Sequence, residues 1–479
     1  MNNDKKYVKE ITNIEDDFAK WYTDIVLKAG LADYVDIKGF MAIKPYGFAI
    51  WENIQKYANE AFKKVGVKNL YLPLLIPEDL LNKEKAHIAG FAPEVAWVTH
   101  GGDQRLENRL CIRPTSETLF ATLYAKWTES WRDLPMMYNQ WCSVVRWEKE
   151  TKPFLRSREF LWQEGHTVHE TAKEAQDLTL SILDIYKKLI EEKLAIPVLQ
   201  GEKTASEKFA GAENTYSVET LMHDGKALQA GTSHYFGQNF SKPFNIKFIN
   251  RHEQEEFAYQ TSWGVSTRLI GAVIMAHGDN RGLKLPPEIA PIQAIIIPIS
   301  VTDEAVMLKV EELVSALGDE FRVEIDKRDN YTPGYKFNDW EMKGVPVRIE
   351  IGPKDILANQ CIFVERDTGN KQVVKFDDVK LKLKETLTNI QERMFADCQK
   401  NMIDRTFSVS SLAEFIDTIN KKQGYIKAMW CGNSECEAEI KDKTGAKSRC
   451  IPFEQENIAD NCVVCGKKAK HLVFWGRQY

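Results

Sequence analysis

The chain has 479 residues, 43% hydrophobic and 28% charged, with a formal net charge of −5. That length accommodates two or three domains with cores of their own, and the composition is ordinary for a globular protein. A weakly acidic whole-chain field excludes a generally basic nucleic-acid binder, so any RNA contact has to use local cationic patches. The apolar run from Ala294 to Ile299 contains Pro298 and is too short to span a bilayer. The first residues lack both the apolar core of an export signal and the Arg/Ser bias of a transit peptide. The expectation is a cytoplasmic protein without membrane contact.

In chain order, residues 5–30 are expected to form a helix ending at Gly30, with Ile14, Phe18, Trp21, Ile25 and Val26 on one face. Residues 36–47 read as strand and turn, and 48–65 as a long amphipathic helix capped by Gly66. The next apolar run, 70–77, contains Pro73, which cannot donate to a ladder and points to an edge or an interface. Residues 87–102 look like a loop, with Gly90, Pro93, Gly101 and Gly102. Arg113-Pro114-Thr115-Ser116-Glu117 opens a helix reaching about residue 131. Thr115 or Ser116 can cap that helix; alternatively Thr115 and Glu117 face a ligand amine.

Residues 144–166 read as a hairpin with a cationic loop. Arg146 and Glu148 belong to its first strand, Arg156, Ser157 and Arg158 to the loop, and Phe160, Trp162, Glu164 and His166 to its second strand. An Arg fork grips phosphate oxygens and an aromatic face stacks on a purine, so a planar polyanion suits this stretch. A strong helix follows over 172–194, then a mobile-looking polar segment, 201–208. Residues 227–240 combine small residues with Gln229, Thr232 and His234, a pattern of strands that approach a ligand closely. Residues 259–268 form a strand that leads into an apolar helix with Arg268 on its first turn, a site that favours anions.

Pro286 and Pro287 mark a boundary near 285–292. Beyond it, strands over 293–300, 321–326, 347–353 and 361–366 alternate with helices over 304–317, 335–342 and 379–393, a compact α/β unit. The last part has a helix over 412–420 and a strand over 426–430. Of the nine cysteines, Cys431, Cys436, Cys450, Cys462 and Cys465 crowd the last fifty residues. Cys431 with Cys436, and Cys462 with Cys465, are spaced as two knuckles of a tetrahedral structural zinc site, with Cys450 a bystander.

Three separated features resemble motifs 1, 2 and 3 of class II aminoacyl-tRNA synthetases: the helix, strand and proline near 48–77, the Arg-x-Glu hairpin, and the Arg at a helix start. Arg-Pro-Thr-Ser-Glu at 113–117, Phe-Leu-Trp-Gln-Glu-Gly-His at 160–166 and Gln-Ala-Gly-Thr-Ser-His at 229–234 narrow the resemblance to the prolyl-tRNA synthetase family, over essentially the whole chain. The form it looks like is the archaeal/eukaryotic-like one with a C-terminal zinc-binding domain. Only about a hundred residues separate motifs 2 and 3, so a large editing insertion is absent.

The resemblance implies an α+β protein in three parts. These are an antiparallel-sheet catalytic domain (1–287), an α/β anticodon-binding domain (288–395) and a small α/β zinc-binding domain (396–479). It implies ATP, L-proline and tRNA(Pro) as substrates, Mg²⁺ with ATP, structural Zn²⁺, and a homodimer through motif 1. Catalytic roles fall to Arg146 and Arg268. Proline falls to Thr115, Glu117, Arg146, Trp162, Glu164 and His234. ATP falls to Arg146, Glu148, Arg156, Ser157, Phe160, Gln229, Thr232, Ser266 and Arg268, with Gln229 also on the Mg²⁺ side. Arg348, Glu350 and Lys354 are the anticodon candidates, because carboxylates accept from base amino groups and cationic side chains donate to guanine. A regulator derived from such an enzyme would be expected to lack Arg146 or Arg268, and both are present.

Overall fold

A computed structural model describes residues 10–87 and 94–479; the expected helical residues 5–9 and the loop residues 88–93 lie outside them. The first described helix is Phe18–Lys28, capped by Asp17, whose side chain accepts from the Lys20 N–H at 2.9 Å. Ile14 therefore precedes the helix. Trp21, Tyr22, Ile25 and Val26 bury its inner face. The next long helix, Pro45–Lys64, starts on a proline whose fixed φ suits a first turn. It buries Ile50, Trp51, Ile54, Ala58 and Phe62, and Gly66, at φ +88°, turns the chain away as expected.

The organising layer is an eleven-stranded sheet. Next to one edge of it, Met136–Val145 and Glu159–His169 form the expected hairpin, with Cys142 opposite Trp162 and Gln140 opposite Glu164. Tyr259–Ser266 pairs on the other side of the second strand, Ala227–Gly237 beyond that, then Asn214–Leu221 and Leu199–Glu202. Alternation puts one face of these strands on the helix Ala172–Lys188 and on the helix Arg268–His277; the opposite face lines the cavity described below. Gly165 is obligatory here: a Cβ on it would lie 2.1 Å from the Trp263 indole.

Several boundaries differ from the sequence expectation. The hairpin's first strand stops at Val145, so Arg146 and Glu148 sit just beyond it rather than within it. Of the run at 70–77 only Leu75–Pro77 is a strand; a two-residue strand, Lys68–Asn69, precedes it on the edge of the large sheet, and Pro73 is in neither. The expected loop up to residue 102 contains a strand, Trp97–Gly101, paired with Gln104–Ile112; Gly102, at φ +61°, makes their turn. The helix from Glu117 ends at Trp127, short of 131. The segment 201–208 is only partly at the surface: Lys203 and Thr204 are 5% and 2% exposed, while Ala205, Ser206 and Lys208 are exposed.

Beyond the helix Arg268–His277 lies a separate five-stranded sheet built on Ala294–Pro298, which pairs in parallel with Val323–Ile325 and Val347–Ile351. Gln360–Glu365 and an unexpected strand, Lys371–Lys375, complete it. Helix Val379–Asp404 runs past the expected end at 393. It leads to the strands Thr406–Ser408, Tyr425–Trp430, Lys447–Pro452 and His471–Gly476.

Lys447–Pro452 pairs with Leu199–Glu202, so the C-terminal strands continue the central sheet. That seam carries a buried ionic cluster. Lys203 Nζ donates to Glu219 at 2.9 Å, and Arg449 Nη2 donates to the other oxygen at 2.7 Å. Burial opposes the Glu219 charge, but Arg449 and Lys203 outweigh it and hold the carboxyl below its usual range. No helix among the described residues is long and apolar enough to cross a membrane.

Candidate active site

The ends of the central strands surround a cavity of about 250 Å³. Two guanidiniums face it. Arg146 donates through Nε to the Pro114 carbonyl at 3.0 Å, and its plane lies near the rings of Phe160 and Trp162, at 5.4 and 5.3 Å. Arg268 donates to the carbonyls of Leu155 and Gln229 at 3.2 and 3.3 Å. Burial, with Arg146 and Arg156 beside it, pushes the Arg268 pKa down to about 10. Like charges held together in a buried cavity form a site whose repulsion an anion relieves.

Across the cavity sit two buried carboxylates. Glu164 accepts from the Ser116 N–H at 3.1 Å, from the Ser116 hydroxyl, and from Gln140 Nε2 at 2.8 Å; His166 Nε2 lies 3.1 Å from it. Burial resists its charge, yet those donors prevail and its pKa is lowered. Glu117 accepts from the Thr115 hydroxyl, and burial together with the neighbouring Glu164 raises its pKa. Ser116 is the N-terminal cap residue of its helix but makes no side-chain capping bond, because its hydroxyl is committed to Glu164. His234 shares a 3.0 Å hydrogen bond with Thr215 and lies against the Phe209 ring, 4.7 Å between centroids. Burial pushes it down to about 3, so it is neutral near pH 7. A small pocket with two acids, a neutral imidazole and Trp162 suits a compact cation; the arginine side suits phosphate and carboxylate oxygens.

Thr115, Glu117, Arg146, Phe160, Trp162, Glu164, Gln229, Thr232, His234, Ser266 and Arg268 all line this one cavity. Glu148, Arg156 and Ser157 do not. Ser157 lines a neighbouring hollow with Phe154 and Thr267. Arg156 is exposed on the loop, and Glu148 meets Arg146 through a backbone N–H donated to the Arg146 carbonyl at 2.7 Å and through its charge. Sequence reasoning missed Gln140, Ser116, Glu207, Phe209 and Trp263. Gln140 was legible only through its register opposite Glu164, and Glu207 lies in the stretch that reads as a mobile polar segment.

Of the anticodon candidates, Arg348 and Glu350 are paired at 2.9 Å; Arg348 lies over Phe337 and lines a cleft of about 660 Å³ with Trp340, Arg366 and Lys371. Lys354, on the short helix Pro353–Leu357, does not line that cleft. In the C-terminal part, the sulfurs of Cys431, Cys436, Cys462 and Cys465 lie within 4.8 Å of one another. The Cys431–Cys436 and Cys431–Cys465 separations are 3.7 and 3.6 Å. Tetrahedral Zn–S bonds of about 2.3 Å require edges of roughly 3.8 Å, so the donor set fits zinc. Cys450 is buried elsewhere, with Leu221, Ala227, Tyr425 and Phe474.

Three family models match the chain. The one described as tRNA synthetase class II core domain (G, H, P, S and T) matches 97–277; Anticodon binding domain matches 293–386; Prolyl-tRNA synthetase, C-terminal, matches 412–479. A protein named Proline--tRNA ligase from Clostridium botulinum (strain Okra / Type B1) is 58% identical over 479 residues, the whole of both chains. The chain belongs to the prolyl-tRNA synthetase family. Proteins of the same name from Lachnoclostridium phytofermentans and Clostridium novyi are 57% and 56% identical, again over both whole chains. Within this family frame, every cavity residue from Thr115 to Arg268 falls inside the class II core match, and the four clustered cysteines fall inside the C-terminal match.

Proposed function

We infer that the protein activates L-proline with ATP, forming prolyl-adenylate and pyrophosphate, and then transfers the prolyl group to the 3′ end of tRNA(Pro). The observation that carries the residue roles is the opposition, in one cavity, of the Glu117–Glu164 pair and the Arg146–Arg268 pair. The proline carboxylate attacks the α-phosphorus, the bond to the pyrophosphate oxygen breaks, and the terminal ribose hydroxyl of tRNA later displaces AMP. Neither step needs a covalent protein nucleophile; orientation and charge stabilisation suffice.

In this reading Glu117, Glu164, Thr115, Trp162 and His234 hold the pyrrolidine ring and its secondary ammonium. Arg146 spans the proline carboxylate and the α-phosphate, and Arg268 takes the far phosphates. Phe160 supplies a face for adenine, with Gln229, Thr232 and Ser266 on the ribose side; Glu148 and Ser157 serve ATP from just outside the cavity. Arg156, rather than Arg158, is the loop residue for phosphate. Arg158 is occupied by the carbonyls of Glu148 and Lys38, both at 3.1 Å, and by the Trp147 ring. Arg156 makes no side-chain hydrogen bond or ion pair with the described residues, and its charge is felt at Arg268. Mg²⁺ accompanies ATP; it prefers oxygen donors, and the amide oxygen of Gln229 suits one position.

The same proposal divides the chain at 1–287, 288–395 and 396–479, with Arg348 and Glu350 as the better-supported anticodon contacts and Lys354 the weaker. A homodimer through the 48–77 region is supported by Tyr71 and Leu74, 73% and 40% exposed. Cytoplasmic location completes it. ATP–pyrophosphate exchange run with each of the twenty amino acids tests the reading: exchange should require proline and disappear in Arg146→Ala. Absence of proline-dependent exchange from folded protein would sink it, and a native-mass measurement showing only monomer would remove the dimer.

A further inference from the structure

The cavity wall beside His234 is a loop, residues 203–209, whose inner side presents Glu207 and Phe209 to the cavity. Its conformation is set partly from within. Glu207 N–H and Lys208 N–H donate to the Thr204 carbonyl at 3.0 and 2.9 Å, and Phe209 N–H donates to Thr215 Oγ1 at 3.0 Å. Thr215 also carries the hydrogen bond to His234, so the loop and the imidazole share one anchor.

The outer side of the loop rests on the C-terminal part. Thr204 Oγ1 donates to Glu437 Oε1 at 2.8 Å, and the Ser206 hydroxyl donates to Glu437 Oε2. Ser448 donates to the same carboxylate. Lys447 Nζ lies 2.8 Å from Glu207, and Lys203 donates to the Arg449 carbonyl at 2.7 Å. Glu437 is 6% exposed, so its charge has to be neutralised by these donors. It stands next to Cys436 on the helix Ser434–Thr444.

We propose that Glu437, with Lys447, is a positioning residue for proline: from the C-terminal part it holds the 203–209 loop so that Glu207 and Phe209 close the proline side of the cavity. A carboxylate that bridges two hydroxyls two positions apart on the loop fixes its path more tightly than packing alone, and Lys447 fixes the direction of Glu207. None of these groups reaches the arginine side, so the effect falls on proline and not on ATP.

The inference rests on the proline reading above, and the experiment separates the two. Proline-dependent exchange by the unmodified protein establishes the reading; the ratio of Michaelis constants in variants tests the inference. Glu437→Ala should raise KM for proline about tenfold or more, the loss of two charge-assisted hydrogen bonds, with KM for ATP within twofold. Glu437→Gln, which keeps one acceptor oxygen, should fall between. From the other side of the contact, Ser206→Ala should raise KM for proline in an otherwise intact C-terminal part, and should add little on top of Glu437→Ala. A KM for proline within twofold of the unmodified protein in folded Glu437→Ala overturns the proposal. Where Glu437→Ala does not fold, an unchanged KM in Ser206→Ala and Lys447→Met overturns it equally, as does a parallel rise in both KM values.

Discussion

Glu117 and Glu164 are the same residue type in the same pocket, and their surroundings push them in opposite directions. Glu164 is held ionised by Ser116, Gln140 and His166; Glu117 has only the Thr115 hydroxyl and its own backbone N–H as donors, is buried beside Glu164, and has its pKa raised. Arg146 and His166 are the positive or potentially positive groups that face the pair. A secondary ammonium requires Glu117 ionised, so proline binding releases a proton wherever Glu117 is protonated in the free protein. KM for proline should therefore rise as pH falls through the raised Glu117 pKa. Glu117→Gln should raise KM for proline by about 10–100-fold and flatten that limb of the profile. A profile of KM against pH for both proteins checks this; an unchanged limb in the variant assigns the proton elsewhere. Gln140 and Ser116 show why part of this site was illegible in the sequence. They act only through Glu164, and an isolated Gln or Ser carries no chemical signature, whereas arginines, acids and aromatics in one strand do.

At the scale of elements, the hairpin Met136–Val145 and Glu159–His169 was readable because its apolar residues alternate and its loop is charged. The segment 201–208 was not, because part of its polarity faces a partner sheet rather than water. A sequence shows which groups need neutralising but not who supplies the counter-charge more than two hundred residues away, as Arg449 does for Glu219. The hairpin also carries a tight constraint. Gly165 lets the strand pass beneath the core indole of Trp263, and an alanine methyl would sit 2.1 Å from that ring. Gly165→Ala has to move Trp263, itself 2% exposed and near Phe62, into a filled core. Overpacking of this kind costs about 1–3 kcal/mol. Denaturant unfolding should report a loss of that size together with weaker exchange; a neutral alanine at this position would mean that the sheet and the indole separate more freely than their packing implies.

For the whole molecule, the continuity of the central sheet through Leu199–Glu202 and Lys447–Pro452 joins the C-terminal part to the strands that carry the cavity. The core of that part, around Phe415, Ile440 and Trp475, closes over Cys436 and Cys462, both buried. Four unligated thiols there give weak hydrogen bonds at best, while a bound zinc would tie the turn at Cys431, the helix carrying Cys436 and the knuckle at Cys462 and Cys465 into one unit. Metal analysis of the purified protein should find one zinc per chain. Cys462→Ser should lose it and lower the thermal midpoint, and a strong chelator should reproduce that shift in the unmodified protein. Cys450→Ser should keep the metal, since Cys450 packs with Tyr425 and Phe474 away from the cluster. Full zinc retention in Cys462→Ser would remove that residue from the ligand set, and equal loss in both variants would mean that metal binding follows the folding of the whole C-terminal part instead of these four sulfurs.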